Sequence, residues 1–250
     1  MIISFLAFIG VFSVVVLVHE FGHFIAARKS GVKVYEFSIG FPFSPRLATL
    51  FRHKETEFTL RLLPLGGFVR FSKDGDEEAM DLFEASYFRR ALIMSAGSLS
   101  NILFAFVVFV PLFMFFKHLP FFDAVLSSAR SVWEILSGTI AVLADLLSGN
   151  GSMEGLSGPV GIAVMAGQAA NKGLANLLHF TGILSVSLGI MNLFPIPALD
   201  GGQLLMLAME SIRKRPLEIR TYQAVSLIGF ALFIIMTVMV TYMDIVRLIA

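Results

Sequence analysis

Several stretches of this chain are long and apolar enough to cross a lipid bilayer as helices, and this feature restricts the possible folds most. Residues 2–27, 91–116 and 222–249 each reach the roughly 20 residues that a helix needs to cross the hydrocarbon core. A fourth run, residues 174–194, is weaker because it contains two asparagines and a histidine. Only helices and closed barrels satisfy the backbone in lipid, and these runs lack barrel alternation. We therefore predict an α-helical polytopic membrane protein with about four transmembrane helices.

The composition agrees with a membrane location and narrows the chemistry. The chain is 56% hydrophobic and 15% charged, whereas about a quarter of the residues in a soluble domain are charged. Its formal net charge of +1 gives no indication of a nucleic-acid partner. The lack of cysteine excludes a disulfide framework, a thiolate zinc site and a cysteine nucleophile. Histidine, aspartate and glutamate are then the strong metal ligands that the sequence offers.

The basic residues predict both the fate of the first run and the orientation of the chain. No Lys or Arg precedes Arg28, whereas a signal peptide begins with a basic region, so we expect the first run to be a retained transmembrane helix. Residues 28–90 hold eleven of the 19 Lys and Arg, residues 213–220 hold four, and residues 117–172 hold three. Because basic loops stay in the cytoplasm, the first and third connections are predicted to be cytoplasmic and both termini outside.

The two longer connections carry secondary structure of their own. Residues 34–50 and 57–69 are rich in β-branched and aromatic residues interrupted by Gly and Pro, which predicts short strands and hairpins at the cytoplasmic face. Residues 73–81 are polar and acidic and are predicted to form a loop. Residues 131–147 predict an outer amphipathic helix that lies at the membrane interface.

Residues 19–23 read His-Glu-Phe-Gly-His, an H-E-x-x-H pattern. Residues four apart lie on one face of a helix, so the imidazoles of His19 and His23 can reach one metal ion while Glu20 acts as a general base on water. The pattern also fits exposed residues at a helix end. Its position inside an apolar span favours metal binding, because ionisable groups are costly in a membrane.

The third metal ligand is predicted to be Asp200. Ala26 and Lys29 stand where metzincins place Gly and His, which excludes that class. Asp200 follows the fourth apolar run at its predicted cytoplasmic end, the same end as His19 and His23. Prolines and glycines around it break the helix and allow close backbone approach. The alternative is a proline-rich loop with a solvated aspartate.

The remaining acidic residues and histidines are weaker candidates. Glu210 is expected to pair with the basic cluster at residues 213–220. The others fall on the predicted outer side or at ordinary surface and packing positions: Asp123, Glu134, Asp145, Glu154, His53, His118 and His179.

Taken together, these motifs resemble the site-2 protease family of intramembrane zinc metalloproteases, and most closely its bacterial branch. The resemblance rests on H-E-x-x-H in the first span and on N-x-x-P-x-P-x-L-D-G-G at residues 192–202. Residues 66–70, 95–101 and 156–163 support it.

The resemblance implies a zinc-dependent metalloendopeptidase and assigns roles to seven residues. Four would carry the chemistry: the ligands of one Zn²⁺ ion, His19, His23 and Asp200, and the general base, Glu20. Asn192 would help to hold the substrate backbone. Gly66 and Gly67 belong to a hairpin that would engage the substrate as an extended strand.

The resemblance also implies substrates and a location. Its expected partners are the lipid bilayer and the transmembrane helices of substrate proteins, such as anti-sigma factors or remnant signal peptides. The expected location is a bacterial inner membrane, with the active site toward the cytoplasm. The bacterial branch usually carries PDZ domains between its second and third spans, but residues 117–155 leave no room for one. We therefore expect one domain over residues 1–250, with a cytoplasmic connection at 28–90 and an outer one at 117–173. Ser98 stands where the family commonly has proline.

Two functions of other classes also fit a membrane protein with these residues. One is a zinc transporter or sensor, although the candidate ligands cluster at one side of the membrane. The other is a catalytically inactive protein that binds membrane helices, in which Glu20 would have no purpose.

Overall fold

The computed structural model describes residues 2–42, 44–63, 66–71, 82, 84–149 and 157–249. The predicted loop at residues 73–81 lies outside these ranges. Seven helices and four strands are described within them, in this chain order: α1 (Ile2–Lys29), β1 (Glu36–Ile39), β2 (Arg46–His53), β3 (Thr56–Arg61), β4 (Gly67–Arg70), α2 (Tyr87–Phe116), α3 (Phe121–Leu147), α4 (Pro159–Asn171), α5 (Leu174–Asn192), α6 (Asp200–Arg213) and α7 (Ile219–Ile249).

Four of these helices are long and apolar enough to cross a membrane, which confirms the predicted helical polytopic architecture. They are α1, α2, α5 and the part of α7 from Arg220–Ile249. Helix α2 begins four residues earlier than the apolar run suggested, directly after Ser86. Helix α5 ends at Asn192, because prolines follow at positions 195 and 197 and a proline cannot donate to the next helical turn.

Helix α3 begins ten residues before the predicted start of the amphipathic helix. Pro120 precedes its first turn, and the added residues pack inward, with Ala124 and Ser128 fully buried. Ala124 and Leu143 join a core with residues of α2 and α5 that is centred on Phe109. The predicted amphipathic helix is therefore present but begins earlier than its sequence pattern indicated.

The strands form one sheet in the order β2-β3-β1-β4. Strands β2 and β3 form the predicted type of hairpin, while β1 pairs with β3 in parallel and with β4 in antiparallel orientation. The parallel pair was not predicted, because the two strands are separated in sequence by β2. The buried carboxylate of Glu36 accepts contacts from Arg61 at 3.1 Å and Arg70 at 2.9 Å, which ties together β1, β3 and β4.

A second core fixes the sheet against the membrane helices. Phe24 and Ala27 of α1 pack with Phe37 of β1 and with Ile93 and Met94 of α2. This contact places β4 beside the C-terminal half of α1. The H-E-x-x-H segment therefore lies where α1, α2, α6 and β4 meet.

Candidate metal centre

Three predicted ligands from two distant parts of the chain meet at one point. His19 and His23 lie one turn apart on α1, and their Nε2 atoms are 3.2 Å apart. Asp200 is the first residue of α6, and its Oδ2 is 3.1 Å from Nε2 of His19 and 3.3 Å from Nε2 of His23. Within the described residues, these three form the group that could hold a metal ion.

The broken segment after α5 explains how Asp200 reaches α1. Between α5 and α6 the chain makes tight turns, with Ile196 N donating to Phe194 O at 2.7 Å and Leu199 N donating to Ile196 O at 2.8 Å. Gly201 and Gly202 then lie directly against the turn's backbone, where a Cβ would collide with main-chain atoms of Leu193 and Ile196. The two glycines thus let α6 begin immediately beside the turn, and this start carries Asp200 inward.

The hydrogen bond of His23 directs a lone pair toward the carboxylate of Asp200. Nδ1 of His23 is 2.7 Å from the carbonyl oxygen of Ile93, so Nδ1 carries the proton that it donates and Nε2 carries a lone pair. Asp200 Oδ2 is buried and has no well-aligned hydrogen-bond donor among the described residues. Two lone pairs that face each other at this distance repel, so a proton or a metal cation must lie between these atoms.

The donor set and its spacing fit zinc. Tetrahedral zinc with bonds of about 2.0–2.2 Å places neighbouring ligand atoms about 3.3–3.6 Å apart. The three separations of 3.1, 3.2 and 3.3 Å lie at or just below the lower end of that range. Two imidazoles and one carboxylate are also among the ligand sets that catalytic zinc sites use, and they leave a fourth position open.

Glu20 lies beside this group and faces a cavity of about 210 Å³. At roughly 30 Å³ per water molecule, the cavity has room for several waters. Strand β4 forms its opposite wall: a Cβ at Gly67 would lie 3.2 Å from Cγ of Glu20, and the main chain of Val69 is close enough to interact with the Glu20 carboxylate. Its lining residues are His19, Glu20, His23, Phe68, Val69, Phe71, Leu82, Ile93, Met94, Asp200 and Gln203.

The three residues that the resemblance associates with substrate lie at different distances from this cavity. Gly67 touches Glu20. Gly66 has a φ of +120° and its carbonyl accepts a hydrogen bond from Gly40 N at 2.9 Å. Asn192 is the last residue of α5 and is not among the described residues that line the cavity.

Sequence reasoning missed three residues that touch the site. A Cβ on Gly97 of α2 would lie 2.7 Å from Cε1 and 2.8 Å from Nε2 of His19 and would also meet His23 Nε2. Asn101, one turn further along α2, is fully buried against His19. Gln203 lines the cavity from α6. Gly97 and Asn101 could have been found from the sequence, because the one is a glycine and the other a polar asparagine within an apolar span.

The predicted partner of Glu210 was wrong. Its carboxylate contacts the guanidinium of Arg90 on α2 at 2.7 Å, and both side chains are buried. Its other carboxylate oxygen accepts a hydrogen bond from Leu217 N at 3.0 Å, so Glu210 contacts the backbone of the basic segment while its ion pair is with α2. Another rejected ligand candidate, His179, packs against the ring of Phe109, with 5.6 Å between ring centroids.

Comparison with known proteins identifies the family. The family model described as peptidase family M50 matches residues 7–236 of this chain. The chain belongs to peptidase family M50. This result confirms the resemblance to the site-2 protease family, and with it the predictions of an integral membrane protein and of a zinc metalloprotease.

Three relatives illustrate the match to this M50 chain. The zinc metalloprotease RasP of Shouchella clausii is 24% identical over 417 residues, which cover 98% of this chain and 99% of that protein. The regulator of sigma-W protease RasP of Bacillus subtilis is 42% identical over 126 residues, 50% of this chain and 30% of the relative. The regulator of sigma E protease of Haemophilus influenzae is 46% identical over 110 residues, 44% of this chain and 25% of the relative.

The first of these alignments is also much longer than the M50 chain itself. It runs over 417 residues, whereas the chain has 250. More than a hundred positions of that relative therefore have no counterpart here.

Proposed function

We propose that this M50 chain is an intramembrane endopeptidase that hydrolyses peptide bonds within transmembrane segments of other membrane proteins, with one zinc ion held by His19, His23 and Asp200. One observation carries the proposal. Three potential ligand atoms converge at 3.1–3.3 Å beside the carboxylate of Glu20, and the two histidines and Glu20 lie on a helix that is apolar and long enough to span a membrane.

In this proposal Glu20 is the general base. Zinc, when bound, supplies a Lewis acid that polarises a carbonyl and lowers the pKa of water. Glu20 lies between His19 and His23 in the sequence but outside the ligand group, so its carboxylate remains available to accept a proton from the attacking water. The same carboxylate, once protonated, can pass that proton to the leaving amine.

Strand β4 is proposed to hold the substrate beside Glu20. It is an edge strand of the described sheet. The bond from Gly40 N to Gly66 O makes that pair a hydrogen-bonded one, and in an antiparallel ladder every second pair is bonded. The backbone groups of Gly67 and Val69 therefore face away from β1, and those of Val69 reach the Glu20 carboxylate. An unwound segment of a substrate helix could pair with these groups by strand addition, which would replace the hydrogen bonds it lost on unwinding.

Asn192 is proposed to contact the substrate backbone from the opposite side. It is half-buried at the end of α5 and precedes the turns that lead to Asp200. A side-chain amide both donates and accepts, so it can pair with either group of an unwound peptide bond. Because Asn192 does not line the cavity in this structure, this role requires the substrate to extend beyond it.

Relatives and charge support narrower proposals on substrate and location. Two relatives are named regulators of sigma E or sigma-W protease, which favours anti-sigma factors as substrates, with remnant signal peptides as a second class. We propose a bacterial inner membrane, with both termini outside and the site toward the cytoplasm, because residues 28–90 and 213–220 carry most of the basic residues. The chain lacks cysteine, so single cysteines introduced at Ser30 and at His118 would report the two sides by labelling in intact cells.

We further propose that the chain is a single protease domain without a PDZ insertion. The positions of the longer relative that have no counterpart here support this proposal. Selection of substrates would then depend on the cavity and on β4 rather than on an outer domain.

The decisive experiment compares wild type with Glu20→Gln on a panel of single-span model substrates in liposomes, with bound zinc measured in both. We expect cleavage within the span by wild type, and no cleavage but full zinc occupancy in Glu20→Gln. Glu134→Gln on α3, an exposed position, is the matched control and should cleave normally. Zinc bound by both proteins without any cleavage would instead favour the alternative, an inactive zinc-binding or helix-binding protein. His19→Ala, His23→Ala and Asp200→Ala should each lose zinc.

A further inference from the structure

Asn101 is the one described side chain in contact with the outer nitrogen of a proposed ligand. Its Nδ2 lies 3.5 Å from Nδ1 of His19, and the residue is fully buried within α2. Its other amide atom, Oδ1, is buried without a hydrogen-bond partner. A buried asparagine inside an apolar span is costly unless its polar atoms are used.

The two proposed histidine ligands differ in how their outer nitrogens are held. His23 donates from Nδ1 to the backbone carbonyl of Ile93 at 2.7 Å, which leaves its Nε2 free for a metal. His19 must also carry its proton on Nδ1 if its Nε2 is to bind a metal, because a neutral imidazole has one donor and one acceptor nitrogen. That proton needs an acceptor, and the side chain beside it is the amide of Asn101.

A rotation of the Asn101 amide supplies this acceptor at about 3.5 Å, and a shift of a few tenths of an ångström then brings it within hydrogen-bond distance. The two ends of an amide have the same shape, so turning it by about 180° places Oδ1 where Nδ2 stands. The orientation with Nδ2 toward His19 suits the other tautomer, in which Nε2 of His19 carries the proton and cannot bind a metal.

We propose that Asn101 is a positioning residue: its side-chain carbonyl accepts the Nδ1 proton of His19 and thereby keeps Nε2 of His19 available to zinc. This inference rests on the proposed zinc site. It gives α2 a second polar role in the metal centre, beside the Ile93 carbonyl that accepts from His23. Partners of this kind typically change metal affinity by about 10- to 100-fold when they are removed.

The test measures zinc affinity by competition with a chelator in the purified full chain, and the absorption spectrum of the cobalt-substituted protein. Asn101→Leu removes the acceptor at similar volume and should weaken zinc binding by about 10- to 100-fold, with a changed cobalt spectrum. Asn101→Asp can only accept a hydrogen bond and should bind zinc within a few-fold of wild type, since histidine ligands commonly pair with carboxylates.

Ser185→Ala is the matched control. The Ser185 hydroxyl donates to the backbone carbonyl of Asn101 at 2.9 Å, so its loss perturbs the packing of the same residue but leaves the amide in place. We expect a lower unfolding temperature with unchanged zinc affinity.

The outcomes distinguish the role of Asn101 from the existence of the zinc site. Wild-type zinc affinity in Asn101→Leu would overturn the role of Asn101 while leaving the site intact. If Asn101→Leu does not fold, Asn101→Asp still tests the proposal. A large loss of zinc affinity in Asn101→Asp would show that the Asn101 amide acts as a hydrogen-bond donor and would overturn it. If the wild-type protein bound no zinc, or if His19→Ala bound zinc as tightly as wild type, the proposed site would be wrong and the role of Asn101 with it.

Discussion

A methyl group added at Gly97 would collide with both imidazoles of the metal group, and Gly97→Ala therefore tests how tightly α2 packs against the site. The new Cβ would lie 2.7 and 2.8 Å from Cε1 and Nε2 of His19 and would overlap Nε2 of His23. These contacts are well inside the 3.5–4.0 Å at which carbon atoms pack favourably. Either the two rings or the two helices must move apart.

The size of the effect follows from the cost of overpacking. Extra carbon atoms in a well-packed core cost about 1–3 kcal/mol. If that energy falls entirely on the metal-bound arrangement, zinc affinity decreases by about 5- to 150-fold, since about 1.4 kcal/mol corresponds to a factor of ten. If helix separation relieves the collision instead, the same energy should appear as a lower unfolding temperature of the zinc-free protein.

The assay measures zinc affinity by chelator competition and thermal unfolding with and without zinc. Gly10→Ala is the matched control, because it lies on α1 with the two histidines and its added Cβ would meet nothing within 4 Å. It should leave both quantities near wild type. A Gly97→Ala protein with unchanged zinc affinity and unchanged stability would refute the close packing described here.

Two further predictions concern contacts that hold the helices in place. Glu210→Ala leaves the buried guanidinium of Arg90 without its carboxylate and should destabilise the protein by about 3–5 kcal/mol in thermal or denaturant unfolding. The double variant Arg90→Met with Glu210→Leu should recover much of this stability. A Glu210→Ala protein as stable as wild type would contradict the reasoning. Asp244 of α7 is buried and accepts a hydrogen bond from Gly161 N at 2.8 Å. Asp244→Ala should cost about 1.5–3 kcal/mol and make α7 more accessible to hydrogen exchange, while unchanged exchange in α7 would show that this contact does not fix the helix.

Much of the site could be predicted because its signals are local. The spacing of His19 and His23 follows from one helical turn. Asp200 could be inferred because prolines and glycines mark the place where the fourth span breaks. The errors arose where partners are distant. The length of α3 depended on an apolar face that packs onto α2, and Glu210 forms its ion pair with Arg90 rather than with the basic side chains that follow it.

The sequence by itself determined which segments can cross a membrane and which residue types can bind a metal, because hydropathy and helical spacing are properties of a few adjacent residues. Only the tertiary structure decided how these parts meet. The carbonyl that orients His23 is 70 residues away from it in sequence, and the amide beside His19 is 82 residues away. Such contacts depend on how α1 and α2 cross at Gly97, and no local pattern encodes the geometry of that crossing.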